Sequence, residues 1–463
     1  MMRSLYSGVT ALRNHQTRMD VIGNNIANVN TVGFKKSRVT FQDVLNQTVR
    51  GASAPQGGRG GTNPMQVGLG MNIATIEVVP TAASPQGTGK NSDLSISGDG
   101  YFVLDDGGSR YYTRAGNFDL DTSFNLVRTD NGMRVMGYKA VDGVIESTDA
   151  PIALNLREAM SMEAQATDKV TFIKNLDART QNGDDAIVQT ITIYDSQGGP
   201  HQLEVKFTKS NVDNVWNVTG ALVHPNGRYY TTDGDQTDVN NANIANLISG
   251  AMQFNESGKF VSFVSDENDI APIELPGGVF EIPAMNGNYF SDPDPDDDDE
   301  MTFEQAKAEA DAAGLPRPIW IDLSSMTQFG SATTVTPLDQ NGYQDGDLLT
   351  YSFDATGTIT GSYSNGQNRQ IAQVAIANFS NPSGLLKNGE NLYSQSNNSG
   401  MARTGRPGED GRGTIIPGSL EMSNVELAEE FTDMIVTQRG FQANNRIITV
   451  SDSMIEELVN LKR

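Results

Sequence analysis

The acidic run from Asp292 to Glu300 (DPDPDDDDE) comes nearest, in residue type and spacing, to a site that could do chemistry. Asp294, Asp296 and Asp298 stand at the 1-3-5 spacing of a calcium loop, with Met301 at its apolar eighth position. The pattern then departs. Asp299 occupies the place of the turn glycine and Gln305 that of the bidentate glutamate. A solvated acidic loop is the stronger reading, with calcium as its alternative. The three histidines, His15, His201 and His224, are too widely spaced for a structural zinc site or for a Ser–His–acid arrangement. With no cysteine in the chain, disulfides, thiol catalysis and Cys-ligated metals are excluded together. The glycines of GGRGG at Gly57 and VGLG at Val67 lack the Lys-Ser/Thr of a phosphate loop. Neither a cofactor nor an enzymatic role is expected.

Composition narrows the class further. A chain of 463 residues exceeds one core, so several domains are expected. Net charge is −24, with +5 on residues 1–50 and −3 on residues 401–463, which leaves −26 on the middle. Such a balance argues against nucleic acid, whose phosphates need clustered Lys and Arg, and suits a solvated secreted or polymeric surface. No apolar run is long enough to span a membrane, and Ser4, Ser7, Thr10 and Asn14 interrupt any signal-peptide core after Arg3. If the chain leaves the cytoplasm, another route is expected.

The elements that organise the molecule are seven-residue apolar repeats at both ends. Leu5, Leu12, Met19 and Ile26 recur in the first, with Val9, Gln16 and Gly23 at the second seam position. Leu420, Leu427, Met434, Phe441, Ile448 and Ile455 recur in the last, with Phe431, Gln438, Asn445, Asp452 and Val459 at the second position. Helices over about 2–28 and 420–461 follow, paired as a coiled coil, the latter capped by Ser423 or Asn424. Between them lie short β-type runs separated by turn residues. The expected fold is α+β and multidomain: paired long terminal helices plus discontinuous, antiparallel, mainly-β domains. Residues 1–30 and 415–463 form the terminal-helix core, and 31–70 an extended linker. An inner β domain spans 71–155 and 366–414, and an outer one 156–224 and 315–365. Residues 225–314 are a variable insertion, with one short helix suggested by the capping-box spacing of Thr302 and Gln305. Two helices alone bury too little apolar surface to offset the entropy of fixing them, so the ends are expected to be largely disordered in a free monomer and ordered by neighbours. Gly33 is expected to supply a turn, and Asn24, Asn25 and Asn28 to bond backbone where the first helix ends.

The segment DVIGNNIANVNTVGFKKSR, Asp20 to Arg38, resembles the N-terminal signature of the flagellar axial proteins, the rod, hook and hook-associated subunits. LSISGDGYFVL from Leu94, YTRAGNF from Tyr112, FSNPSGL from Phe379 and TQRGFQANNRII from Thr437 resemble that family in the same order. In the middle, Tyr194 to Gly198 before His201, then Trp216, MTQFG from Met326 and YSNGQ from Tyr363 resemble hook subunits. Distal rod subunits resemble the chain at its ends and first β domain, but are expected to be much shorter. The resemblance implies a structural subunit of the bacterial flagellar hook, polymerising into a curved helical tube that passes torque from rod to filament as a universal joint. Terminal helices would line the tube and β domains form its outer layer. It implies an extracellular place in the flagellum, reached through the flagellar type III export apparatus without a cleavable signal peptide. The implied partners are further copies of the chain, the distal rod protein, the hook cap and the hook–filament junction proteins, with no nucleic acid and no membrane insertion. Leu5, Leu12, Met19, Ile26, Asn24, Asn25, Asn28, Leu427, Phe431, Met434, Phe441, Asn445, Ile448 and Ile455 are expected at the assembly interface. The rivals are a distal rod subunit and, from another class, a secreted calcium-dependent adhesive module.

Overall fold

The computed structural model describes residues 2–55, 60–141, 143–145, 150–194, 197–223, 229–230, 236–237, 246–265, 273–275, 278–280 and 320–460. The acidic run with Asp294, Asp296 and Asp298, the helix expected near Thr302, and His224 lie outside them. The chain divides into two compact units, both discontinuous. The first comprises Met1–Met160, Leu349–Ser362 and Asn368–Arg463, the second Ser161–Leu348 and Tyr363–Gln367. Long terminal helices combined with many antiparallel strands make the fold α+β.

In the first unit, α1 spans Met2–Ala27 and α2 spans Leu427–Asn460. Helix α2 starts later than its heptads suggest, because Leu420 lies in the strand Ser419–Glu421, paired with Pro85–Gly87. Pro417, which lacks an N–H, and Gly418, in a left-handed turn at φ +69°, break any helix just before it. Ser423 Oγ accepts from the Val425 amide at 3.3 Å, while Asn424 is used elsewhere. Glu429 and Glu430 then occupy the first helical turn, where the helix dipole favours acids.

The stretch 31–70, expected as an extended linker, is strand over Ser37–Asp43, Asn46–Arg50 and Met65–Gly68. Ser37–Asp43 pairs antiparallel with Met71–Val78, and Asn46–Arg50 with Met65–Gly68. The Gly-rich run between the second pair masks this hairpin in the sequence. The main sheet of the unit runs in the order Leu386–Gly389, Leu392–Ser394, Ser109–Thr113, Tyr101–Asp106, Arg134–Val141, Asn368–Val374. Tyr101, Tyr112 and Phe379, from three of the runs that carry the resemblance, pack edge to face at centroid distances of 4.8 and 5.9 Å. Gly116 is required beside Leu94 and Phe102, where a Cβ would sit 1.8 Å from Leu94 O.

The second unit pairs Ile187–Tyr194, Pro200–Lys209, Val215–Val223, Asn246–Phe254 and Phe260–Ser265 antiparallel in one sheet. In a smaller sheet Lys169–Asp177 lies antiparallel to Thr336–Gln340 but parallel to Trp320–Asp322 and Met326–Phe329, a pairing that strand patterning alone does not distinguish. Period-two alternation turns Leu203, Val205 and Phe207 inward, and Phe207 meets Phe172 of the smaller sheet edge to face at 5.8 Å. Trp216 is fully buried and donates through Nε1 to Gln328 Oε1 at 3.3 Å, so two of the hook-like pieces meet in this core.

One turn recurs throughout. The side-chain oxygens of Asp121, Asn255 and Asp354 each accept the backbone N–H groups two and four residues on, at 2.8–2.9 Å. The residue three on, Phe124, Gly258 or Gly357, takes positive φ.

Candidate functional site

Helices α1 and α2 pack antiparallel. Gly8 faces Ile448, His15 faces Gly440, Arg18 pairs with Asp433 at 2.8 Å, and Asn25 Nδ2 donates to Glu430 Oε2 at 3.2 Å. Close approach depends on two glycines. A Cβ at Gly8 would lie 3.3 Å from Ile448 Cγ1, and one at Gly440 would lie 3.1 Å from His15 Nε2.

The seam is not quite the one the heptads suggest. On α1 the buried positions are Gly8, Ala11, Asn14, Ile22 and Asn25, while Leu5, Leu12, Met19 and Ile26 are half-buried on its flank. On α2 the buried positions are Glu430, Thr437 and Ser451; Met434, Phe441, Ile448 and Ile455 beside them are half-buried. Both second-position assignments are displaced. Val9, Gln16 and Gly23 on α1, and Phe431, Gln438, Asn445, Asp452 and Val459 on α2, are exposed, as is Leu427. Small and polar residues hold the true second positions, so hydrophobicity gives no sign of them. Three asparagines divide the work at the end of α1. Asn25 is buried and bonds the backbone of Ser37 in both directions, at 2.9 and 3.0 Å. Asn28 donates to Asn24 O at 2.9 Å, and the Asn24 side chain is exposed.

Strands brace α1 from below. Asn14 Nδ2 donates to Met71 O at 2.8 Å, and His15 meets Phe41 edge to face at 5.9 Å. Burial, and then the neighbouring Arg18 cation, push the His15 pKa below its ordinary 6.5, favouring the neutral ring.

At the base of the pair lies a buried cluster that sequence reasoning missed. Lys35, Glu421 and Arg114 are 0, 1 and 2% exposed. Glu421 Oε1 accepts from Lys35 Nζ at 2.6 Å and from the Ala83 amide at 3.0 Å, and Oε2 accepts from Arg114 Nη1 at 3.3 Å. Two cations thus share one anion, and backbone carbonyls take further donors of both, though Arg114 Nε is buried without a partner. Lys35 Nζ donates to Thr81 O at 2.7 Å, Arg114 Nη2 donates to Gly98 O at 2.8 Å, and the guanidinium stands 5.3 Å from the Tyr101 ring centre. Burial lowers the Lys35 pKa against the opposing pull of Glu421, and Arg114 adds to the lowering. Tyr101 and Tyr393 are pushed up, chiefly by burial. Gly33 approaches the same point at φ +68°; a Cβ there would lie 2.6 Å from Ala115 N. The available signal was a charge beside apolar residues in each segment: Phe34-Lys35, Arg114-Ala115 and Leu420-Glu421-Met422. Nothing in this arrangement places a nucleophile beside a base. No group of three or more metal-ligating side chains occurs among the described residues.

The geometry is that of a packing and anchoring element, and the relatives agree. Four family models match along the chain: "Flagella basal body rod protein" over residues 5–35, "Flagellar hook protein FlgE/F/G D1 domain" over 95–171, "Flagellar basal body protein FlaE D2 domain" over 155–343, and "Flagellar basal body rod FlgEFG protein C-terminal" over 416–461. The chain is 40% identical to the flagellar hook protein FlgE of Borreliella burgdorferi and 39% identical to that of Treponema pallidum, each match covering all of both chains. It is also 30% identical, over the whole of both chains, to the flagellar basal-body rod protein FlgG of Bacillus subtilis. That relative overturns the expectation that a rod protein would be much shorter, so length does not separate hook from rod. The two spirochaete hook proteins are nonetheless more similar to the chain than this rod protein is, at 40 and 39% against 30%. By full-length identity and by the order of its domains, the chain belongs to the flagellar hook protein family, as a structural subunit of the bacterial flagellum.

Proposed function

We propose that this subunit polymerises through its terminal helices, paired as a coiled coil, into a curved tube that works as a universal joint between rod and filament. The observation that carries this is an apolar row on α2 which its own chain leaves uncovered. Leu427, Phe431 and Ile435 are 41, 49 and 57% exposed at four-residue spacing, and Ile447, Val450 and Met454 are exposed on the opposite flank of the buried face. Tyr6 and Val9 are also exposed on α1. In water such a row is costly, and neighbouring copies are the natural cover in a protein that self-assembles along the flagellar axis. Leu5, Leu12, Met19 and Ile26, half-buried at the flank, with Met434, Phe441, Ile448 and Ile455 on α2, would complete those contacts. Asn24, Asn28 and Asn445 would supply amides to neighbouring copies. The division into helical core, inner and outer β domains and an inserted region at 225–314 belongs to the same reading. So do export through the type III apparatus and contacts with the distal rod protein, hook cap and hook–filament junction proteins.

Electron microscopy of polymer grown from the purified full-length chain tests the proposal. Curved tubes are expected, and none from Phe431→Ser/Ile435→Ser protein whose folded monomer is unchanged. Normal tubes from that variant would remove the helices as the assembly element. Straight, rigid tubes from the unaltered chain would favour the distal-rod reading, which the 30% identity to a rod protein keeps in play.

A further inference from the structure

We propose that Glu421 is a positioning residue: it sets the direction in which the two terminal helices leave the β body of the first unit, and through that the curvature of the polymer. The second half rests on the assembly reading above. The loop by which the chain leaves α1, residues 32–37, is gripped from two sides. On one side Glu421 O accepts from the Gly33 amide at 2.8 Å, and Asn424 Oδ1 accepts from the Lys36 amide at 2.7 Å. On the other, Lys387 Nζ donates to Lys35 O at 2.9 Å and Asn391 Nδ2 donates to Val32 O at 2.8 Å. The turn carrying Asn391 holds three successive residues, Gly389, Glu390 and Asn391, at φ of 88, 51 and 57°. Glu390 and Asn391 are the two loop residues of the hairpin that joins Leu386–Gly389 to Leu392–Ser394, a tight turn that takes positive φ at both and presents Asn391 to the loop.

The Glu421 carboxylate lies where these grips meet. It takes one cation from the exit of α1 (Lys35) and one from the main sheet (Arg114), and its own backbone runs directly into α2. Stability alone gives little reason for such a cluster, since apolar side chains of similar volume commonly replace buried ion pairs without loss. Direction gives a better one. A carboxylate shared by two cations and a backbone amide is satisfied in one arrangement, whereas apolar contacts tolerate sliding. The helices and sheet are therefore locked at one angle, and a change at this point would tilt the helices without disturbing either body.

Hydrogen exchange and electron microscopy of the full-length chain test this, with Glu421→Gln and the charge-free variant Lys35→Met/Arg114→Met/Glu421→Met. In Glu421→Gln, which leaves two buried cations without their anion, amides of 33–37 and 419–425 should exchange faster by about 100-fold or more. Those of Tyr101–Asp106 should keep their protection. The charge-free protein should retain the wild-type Tm, show faster exchange at the same two segments, and form tubes of altered curvature. Wild-type exchange and wild-type curvature in the charge-free protein would overturn the proposal. Loss of protection across 101–106 in both variants would do so too, by making the cluster a general stability element. If Glu421→Gln fails to fold, the charge-free protein decides. If the wild-type chain forms no tubes, the assembly reading falls, and exchange at the two segments decides the positioning role.

Discussion

The core of the second unit and the seam of the terminal helices are built on opposite principles. In the β core Phe172, Leu203, Val205, Phe207, Trp216 and Val218 are buried completely, and polar atoms such as Trp216 Nε1 are paired within it. In the helix seam the buried positions are Gly8, Ala11, Asn14, Asn25, Glu430, Thr437 and Ser451, with the single large aliphatic Ile22, while Leu427, Phe431 and Ile435 stay outside. The first arrangement extracts most of the hydrophobic free energy available within one chain. The second leaves much of it ungained within the chain. A subunit that must be stable alone and still adhesive can separate those demands by region.

The contrast can be broken or sharpened by substitution. The largest effect is expected in the β core, where Phe207→Ala should cost about 3–5 kcal/mol. Urea unfolding followed by the fluorescence of Trp216 and Trp320 would show it, with helical circular dichroism little changed at the new midpoint. Next, Gly440→Leu should weaken the helix pair by about 1–3 kcal/mol through overpacking against His15, although leucine is the better helix former. Loss of ellipticity at 222 nm before the β transition would register it. A stabilised pair instead would show that the glycine is not what permits the close approach.

A smaller effect should follow from acid. Because the folded pKa of His15 lies below 6.5, its contribution is complete above that pH and is lost as pH falls through the lowered value. Melting of the helix pair should therefore come earlier at mildly acidic pH, and His15→Gln should flatten that dependence. The smallest effect on the monomer is expected from Phe431→Ser/Ile435→Ser, within about 0.5 kcal/mol as for other surface changes. The loss of tubes is the contrasting readout, and a large fall in monomer stability would mean that the row is covered within the chain after all.

How far the chain could be read in advance follows the same division. Strand alternation at Leu203, Val205 and Phe207 is local, and the structure uses it as written. Gly33 was legible as a turn, because only glycine adopts its conformation cheaply, but not as the residue that lets Arg114 and Glu421 come close. The helix repeats were legible in period and displaced in face. The strand at Leu420 was read as helix because an apolar residue at the right interval looks the same in either element. The hairpin Asn46–Arg50 with Met65–Gly68 was hidden by the loop it closes.

By itself the sequence determined the period of the helices, the presence of short strands between them, the turn at Gly33, and the family to which the chain belongs. Each of these is carried by residues near one another in the chain, where spacing and side-chain type are sufficient. Only the tertiary structure decided which flank of each helix is buried. That choice depends on Gly8 and Gly440, whose lack of a side chain permits an approach that no hydrophobic pattern records. It also decided that Lys35, Arg114 and Glu421 meet. Those partners lie 386 and 307 residues from the carboxylate they share, and a contact over such separations leaves no local mark.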